Sequence, residues 1–317
     1  MIGIVIPTLN RSRFLEKALA FYDQKEFGGM VYIVDSSDGE ERKRNEALVE
    51  KHCENIMISY RHFNGSHDGA VITQLNRELH EHIKYLTFAG DDDFLVPEGL
   101  TKCATFLDEN PTYIAAHGQR INFAYMVGKV KLLNVRYGYD WNEEFSQMDR
   151  LREYLRVGIT LSNYLHRKEA WVERYKVCDE IPTRYLGGEL CSECTSALLG
   201  KVKFLQDVVT FLFYQDNPER FFSFDRTTLF ELMNTPDWAQ SYKRLLLRLT
   251  ELMEVKNMEE MERELYFHIA SIISAQYQSK YGLPQDPRLS KNNCDLGELA
   301  PEIGQLLNLV GKISFDK

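Results

Sequence analysis

Tyr85-Leu86-Thr87-Phe88-Ala89-Gly90-Asp91-Asp92-Asp93-Phe94 joins an apolar run to three consecutive carboxylates. The run has the length and content of a buried strand. The carboxylates then fall at a strand's carboxyl end, where open α/β sheets bind ligands. Three adjacent negative charges repel one another. A hard divalent cation carrying a diphosphate would relieve that repulsion, because such ions take carboxylate oxygens together with substrate phosphates. A solvated acidic turn, with Asp93 or a neighbour capping the next helix, is the plainer alternative.

Upstream, strand and helix signals alternate. Ile2 to Ile6 is a short apolar run ended by Pro7. Phe14, Leu15, Ala18, Leu19 and Tyr22 recur at helical spacing, with Asn10 or Ser12 as candidate cap. Val31 to Val34 is a second strand ending at Asp35, Glu41 to Cys53 a charged helix, and Ile56 to Tyr60 a third strand. After the loop Asn64 to Gly69, Val71, Leu75, Leu79 and Ile83 mark another helix; Pro97-Glu98 opens one downstream. This alternation predicts crossover units and a mainly parallel sheet. Right-handed crossovers would gather Pro7-Thr8-Leu9-Asn10, Asp35-Ser36-Ser37-Asp38 and Asp91-Asp92-Asp93 at one edge.

The chain has 317 residues, 44% of them hydrophobic, and a formal net charge of -9. One large domain or two modest ones fit that length. The charge argues against a nucleic-acid partner. No window approaches about 18 uninterrupted apolar residues, so no membrane span is expected. Met1 to Pro7 lacks the marks of a signal peptide, and a cytoplasmic location is expected. Of six cysteines only Cys191 and Cys194 are closely spaced, which favours buried thiols over a metal site.

Between 111 and 225 the pattern loosens. Short strands are expected at Tyr113 to Ala116, Val127 to Val135, Lys201 to Leu205 and Val208 to Tyr214. Leu151 to Val157 reads as helical, and Gly187-Gly188 leads into a helix holding Glu189 and Glu193. From 226 to 317 the chain looks all-helical, with one stripe at Tyr242, Leu245, Leu246, Leu249, Leu252 and Met253. A second, at Leu265, Ile269, Ile272, Ile273 and Tyr277, ends at Gly282-Leu283-Pro284. Such stripes form core or bind a partner helix, and they offer a homodimer contact. Lys243-Arg244 with nearby leucines leaves room for peripheral membrane contact.

Taken in order, Ile4-Val5-Ile6-Pro7-Thr8-Leu9-Asn10-Arg11, Val34-Asp35-Ser36-Ser37-Asp38 and Gly90-Asp91-Asp92-Asp93 resemble the signatures of GT-A fold glycosyltransferases, most closely family 2. The resemblance covers residues 1–110, weakens to about 220, and finds no counterpart in the C-terminal helices. It implies a Rossmann-like α/β domain at 1–225 with a helical extension at 226–317. It implies a nucleoside-diphosphate sugar as donor, UDP-linked by family habit, and a glycan, lipid-linked or small-molecule acceptor. Pro7, Thr8 and Asn10 would line base and ribose, Asp35 would accept a hydrogen from the base, and Arg11 would meet phosphate. Asp91 would face the ribose. Asp92, Asp93 or both would hold Mn²⁺ or Mg²⁺ against the diphosphate; an Asp-x-Asp pairing of Asp91 with Asp93 is the other assignment. Gly90 departs from the family by standing at the first acidic position of the common four-residue variant.

Glycosyl transfer leaves charge on the diphosphate, and the acceptor hydroxyl needs a base. The family carries that base at a helix start after a Gly-rich turn, which here is Gly187-Gly188-Glu189-Leu190. Glu189 is the expected base and Glu193, one turn on, the second candidate; Leu190 replaces the family's second acid. Either glutamate equally suits a helix N-terminus. His67 and Asp68 lie where the family contacts the nucleotide, without the usual arginine. Tyr137, Tyr139 and Trp141 suit acceptor stacking or core packing, and Phe221 to Phe224, after Asn217-Pro218, suit a lid or a plain loop. A retaining transferase, or a nucleotide-sugar-binding scaffold without turnover, are the alternatives.

Overall fold

Along β1 (Ile2–Thr8), Val5 points to one face of the sheet while Ile4 and Ile6 point to the other, and all three are fully buried. A strand covered on both faces needs that apolar content. The computed structural model describes residues 1–63, 67–126, 129–214, 228–254, 256–280 and 300–314. α1 (Ser12–Gln24), β2 (Met30–Asp35), α2 (Gly39–His52), β3 (Met57–His62), α3 (Asp68–Leu75) and β4 (Tyr85–Phe88) continue the alternation. Beyond the acidic loop come β5 (Phe94–Leu95), α4 (Pro97–Glu109), the antiparallel pair β6 (Tyr113–Met126) and β7 (Lys129–Arg136), and α5 (Gln147–Val157). β8 (Leu165–Arg167) and α6 (Lys168–Tyr175) follow. A 3₁₀ turn at Cys178–Glu180 and a π-helical turn at Arg184–Leu190 then lead into α7 (Cys191–Leu199) and β9 (Lys201–Tyr214). The chain closes with α8 (Leu229–Met233), α9 (Trp238–Leu252), α10 (Met258–Lys280) and α11 (Ala300–Ser314).

Among the described residues one sheet of nine strands runs β3-β2-β1-β4-β8-β6-β9-β5, with β7 on the free part of β6. The fold is α/β, with helices on both faces. β3, β2, β1 and β4 are mutually parallel, as are β6 and β9; β8, β5 and β7 join antiparallel. The registers Thr8↔Asp35 and Val5↔Phe88 bring the carboxyl ends of β1, β2 and β4 to one edge, as the crossovers predict.

Several expectations are corrected. Pro7 does not end β1. Val5 O accepts from Ala89 N at 3.0 Å, so Pro7, two residues on, faces the same side beyond the last residue of β4, where no donor is required. Neither Asn10 nor Ser12 caps α1 through its side chain; Glu41 of α2 accepts from Ser12 N at 3.0 Å instead. α3 stops at Leu75: beyond it Arg77 N and Glu78 N bond back only three residues, to Gln74 O and Leu75 O, and Asn76 accepts from Trp171 Nε1 at 3.0 Å. The runs Lys201 to Leu205 and Val208 to Tyr214 form one strand. Its register on β6 jumps from His117↔Phe204 to Gln119↔Val209, which expels Gln206 and Asp207 as a bulge. β8 and α6 were not anticipated.

The helices after 226 do not stand apart. Leu245, Leu246, Leu249, Met253, Met261 and Leu265 enter the core that α3, α5, α6 and α7 build on one face. Ile303, Leu306 and Val310 of α11 join α1 and α4 on the other. The apolar stripes of α9 and α10 are thus largely spent within the chain. Arg244 is paired with Glu180 at 2.6 Å. No helix among the described residues is long and apolar enough to cross a membrane. Asn64 to Ser66, Val127, Phe221 to Phe224 with Asn217-Pro218, Gly282-Leu283-Pro284, Cys294 and the side chain of Tyr277 lie outside the described residues.

Candidate active site at the carboxyl edge of the sheet

The loops after β1 and β2 are laced together. Asn10 takes a left-handed conformation, φ 54°, which asparagine tolerates better than most residues. From there its backbone N–H donates to Ser37 Oγ at 2.7 Å and its Oδ1 accepts from Asp38 N at 3.2 Å. Asp35 is fully buried and engaged on both oxygens. Oδ1 accepts from Ser37 N at 2.7 Å; Oδ2 accepts from Asn45 Nδ2 at 3.0 Å and Tyr60 Oη at 2.7 Å. Its place at the end of β2 is as expected, but its bonds go to the protein's own Ser37, to Asn45 of α2 and to Tyr60 of β3.

The acidic loop leans on the same β1 segment. Thr8 Oγ1 donates to Asp91 Oδ2 at 2.7 Å, and the Arg11 guanidinium reaches Asp91 Oδ1 at 3.1 Å and Asp92 Oδ2 at 2.5 Å. Burial pushes Asp91 up to about 7, helped by the charges of Asp92 and Asp68 and opposed by Arg11 and Thr8. Burial likewise raises Asp93 well above the usual carboxylate range, with Asp92 adding to it; Arg120 and a 3.1 Å bond from Tyr214 N pull the other way. Burial works against the Arg11 charge, but the carboxylates of Asp91 and Asp92 outweigh it and hold its pKa up.

The opposite wall is built by α3 and the π-helical turn. His67 caps α3: its Nδ1 accepts from Ala70 N at 3.1 Å and its Nε2 donates to Ile181 O at 2.8 Å. These bonds suit a neutral ring, and burial lowers the pKa of His67 accordingly. Gly69 packs directly on Gly187 and Gly188; a Cβ there would lie 2.5 Å from Gly187 O. Asp68 is exposed, but its carboxyl lies among close neighbours that strip it of water. That crowding raises its carboxyl, while Arg184, His67 and Arg11 draw it down. Arg184 stands where the sequence showed no arginine near Asp68.

The two candidate bases separate. Glu189 is exposed in the turn beside Gly188. Glu193 is 3% exposed and pairs with the buried Arg174 at 3.1 Å. It also accepts from Thr160 Oγ1 at 3.2 Å, from Ser162 Oγ and from Leu161 N. It anchors the 160–162 loop and does not face the cleft. Tyr185, in the same turn as Glu189, donates to His268 Nε2 at 2.9 Å, so α10 braces that turn. Tyr139 and Trp141 stack in the core with centroids 4.4 Å apart, while Tyr137 remains at the surface. Cys191 and Cys194 are buried free thiols.

No group of three or more His, Cys, Asp and Glu among the described residues is arranged to hold a metal by itself. The donor set nevertheless suits a cation shared with a ligand. Asp92 Oδ2 is taken by Arg11 and Asp93 Oδ1 by Tyr214 N. Their other oxygens, Asp92 Oδ1 and Asp93 Oδ2, both lie 3.0 Å from the position a Gly90 Cβ would occupy. Two adjacent carboxylate oxygens completed by substrate phosphates is a common magnesium arrangement. A side chain at position 90 would fill that space.

No family model matches the chain, and no curated protein matches it. Solved structures are similar in chain path. Against the crystal structure of S. aureus TarS the identity is 12% and the TM-score 0.45, with 88% of this chain and 52% of that chain covered. S. aureus TarS 1–349 in complex with UDP-GlcNAc gives 11% and 0.46, covering 90% and 93%. The same portion in complex with UDP gives 13% and 0.44 at the same coverage. This chain thus spans about half of the longer TarS chain. Only the residues of the site bear on what this chain does.

Proposed function

We propose that this chain is a metal-dependent glycosyltransferase. It would move a sugar from a nucleoside diphosphate sugar, UDP-linked by preference, to a hydroxyl of a glycan, lipid-linked or small-molecule acceptor with inversion. The observation that supports this best is the convergence of Thr8, Arg11, Asp91 and Asp92 in one bonded cluster, with Asp68 between the charges of Arg11 and Arg184 and Glu189 following Gly188 where that turn packs on Gly69.

In this reading Pro7, Thr8 and Asn10 shape the nucleotide floor. Asp35 acts by holding Ser37 and Tyr60 in place. Arg11 presents its guanidinium to the diphosphate. Asp92 and Asp93 would hold Mn²⁺ or Mg²⁺, which when bound offsets charge on the leaving group. Glu189 takes the proton of the acceptor hydroxyl as its oxygen attacks the anomeric carbon; the carbon–oxygen bond to the diphosphate breaks on the opposite side, toward Arg11. Glu193 has no part in proton transfer. A second reading, in which Arg11 alone neutralises the diphosphate, is favoured by the exposure of its side chain, 41%, and requires the diphosphate to displace Asp91 or Asp92 from it.

Thermal shift with UDP, GDP, CDP and ADP, with and without Mn²⁺, tests the reading, since ligands of the native state raise its melting point. We expect the largest shift with UDP and Mn²⁺, lost in Asp92→Asn and Asp93→Asn. A UDP shift that persists undiminished in excess chelator moves the weight to Arg11. No shift with any nucleotide overturns the proposal.

A further inference from the structure

Arg120 on β6 and Arg136 on β7 are register partners, so their side chains share one face of the sheet. Arg120 lies over the Phe213 ring at 4.1 Å and the Phe211 ring at 5.2 Å, and its Nε donates to Asn122 Oδ1 at 3.1 Å. The Arg136 side chain makes no hydrogen bond or ion pair with any described residue. Burial lowers the pKa of both; for Arg120, to about 10, Asp93 resists the shift and Arg136 adds to it. Two half-buried cations side by side, with Asp93 the one carboxylate near either of them among the described residues, are unfavourable until an anion arrives. Arg120 also borders a cavity of about 20 Å³, room for one water, with Tyr137, Thr160 and Asn163. Asn163 is tied to Phe88, the last residue of β4 before the acidic loop, by a 2.9 Å bond to Phe88 O.

The cations therefore divide by side. Arg11 stands on the β1 flank of the acidic loop; Arg120 and Arg136 stand on the β6–β7 flank, past Asp93. The geometry points to an anion subsite for the acceptor: Arg120 and Arg136 hold a phosphate ester or carboxylate on the molecule that receives the sugar. The planar guanidinium forks suit either group bidentately. This inference rests on the glycosyltransferase reading for the word acceptor, but the subsite can be tested without a donor.

The test is calorimetric titration of the full chain, with and without UDP and Mn²⁺. The probes are sn-glycerol 3-phosphate, glycerate and neutral glycerol. We expect an anionic probe to bind and glycerol not to. Arg136→Gln should weaken that binding by about tenfold or more and Arg136→Glu should abolish it, consistent with loss of a charge-assisted pair. Arg136→Lys should recover part of it. UDP affinity should stay within about twofold in all three, because Arg136 lies outside the donor cluster. Preference for glycerol phosphate assigns a phosphorylated acceptor, and preference for glycerate a carboxylated one. Failure of both anions to bind, or binding that survives Arg136→Gln and Arg136→Glu unchanged, overturns the subsite. Failure of UDP to bind overturns the donor assignment instead and leaves the anion titration standing.

Discussion

Replacing Gly69 by alanine should separate the two walls of the cleft. The added methyl would sit 2.5 Å from Gly187 O, 3.1 Å from Cys178 Cβ and 3.2 Å from Gly188 Cα. Ordinary contact begins at 3.4 Å, so α3 and the π-helical turn must part by about 0.9 Å. Overpacking of this kind costs about 1–3 kcal/mol. Alanine recovers about 0.5–1 kcal/mol of helix propensity, leaving a net loss of up to about 2.5 kcal/mol. The functional effect should be larger. Glu189 rides on the turn that the methyl would push, and a displacement near 1 Å of a reacting group can cost about 100-fold in rate. Urea unfolding gives the first quantity, and single-turnover transfer from the donor that gives the largest thermal shift gives the second. Gly304→Ala is the control: nothing lies within 4 Å of its added Cβ, so it should gain up to about 1 kcal/mol. If Gly69→Ala matches Gly304→Ala in stability and turns over at the wild-type rate, the packing of Gly69 on Gly187 does not set the cleft.

The same contacts set further outcomes. Glu193→Gln leaves Arg174 charged and buried without its partner, and should cost about 3–5 kcal/mol in urea unfolding; a loss under about 1 kcal/mol would mean the pair is not buried in solution. Glu189→Gln should leave stability within about 0.5 kcal/mol but lower kcat by about 100-fold or more, and unchanged turnover together with a retained anomer by NMR would point to a retaining enzyme. Acid should destabilise the fold through His117, which stacks on Tyr164 at 3.6 Å and whose pKa burial lowers from 6.5 to about 3. The unfolded chain then binds the proton first, so stability is intact above pH 6.5 and falls toward pH 3; at pH 5 the loss from this residue is about 2 kcal/mol. Asp91, raised to about 7, gains stability over the same range, so the check is the difference between wild type and His117→Gln in urea midpoints at pH 7.5 and 5.0. The variant should lose less stability on acidification, and identical shifts in the two proteins would contradict the assignment.

Much of the nucleotide half was legible because its signals are local. β1, β2 and β4 are contiguous apolar runs, and parallel crossovers leave one arrangement for their ends. That was enough to place Thr8, Asp35 and Asp91 on one edge. What escaped depends on partners far along the chain. β8 pairs only two residues with β4, through Leu165–Arg167, too short a run to stand out. Glu189 and Glu193 look alike in sequence. Only the fold brings Arg174, Thr160 and Ser162 onto Glu193 and leaves Glu189 at the surface. Arg184 near Asp68, and Arg120 opposite Arg136, carry no sequence mark either, because each juxtaposition is made by turns and strand register.

Sorting the carboxylates by spare oxygens separates scaffold from chemistry better than residue type does. A carboxylate offers about four acceptor positions, and burial with those positions taken makes it a fixed part of the frame. Asp35 and Glu193 are in that state: each is buried, and each ties a loop by three or more bonds. Asp91 is intermediate, with one oxygen on Thr8 and the other on Arg11. Asp92 and Asp93 each commit one oxygen and direct the other into the space over Gly90. Asp68 and Glu189 are exposed. The saturated pair brace the frame: Asp35 joins β2 to α2 and β3, and Glu193 fixes the 160–162 loop to α7 and α6. Removing a saturated carboxylate should therefore be felt first in stability, and removing an unsaturated one first in ligand binding. A glycine at position 90 is what leaves room between Asp92 and Asp93 for anything to bind.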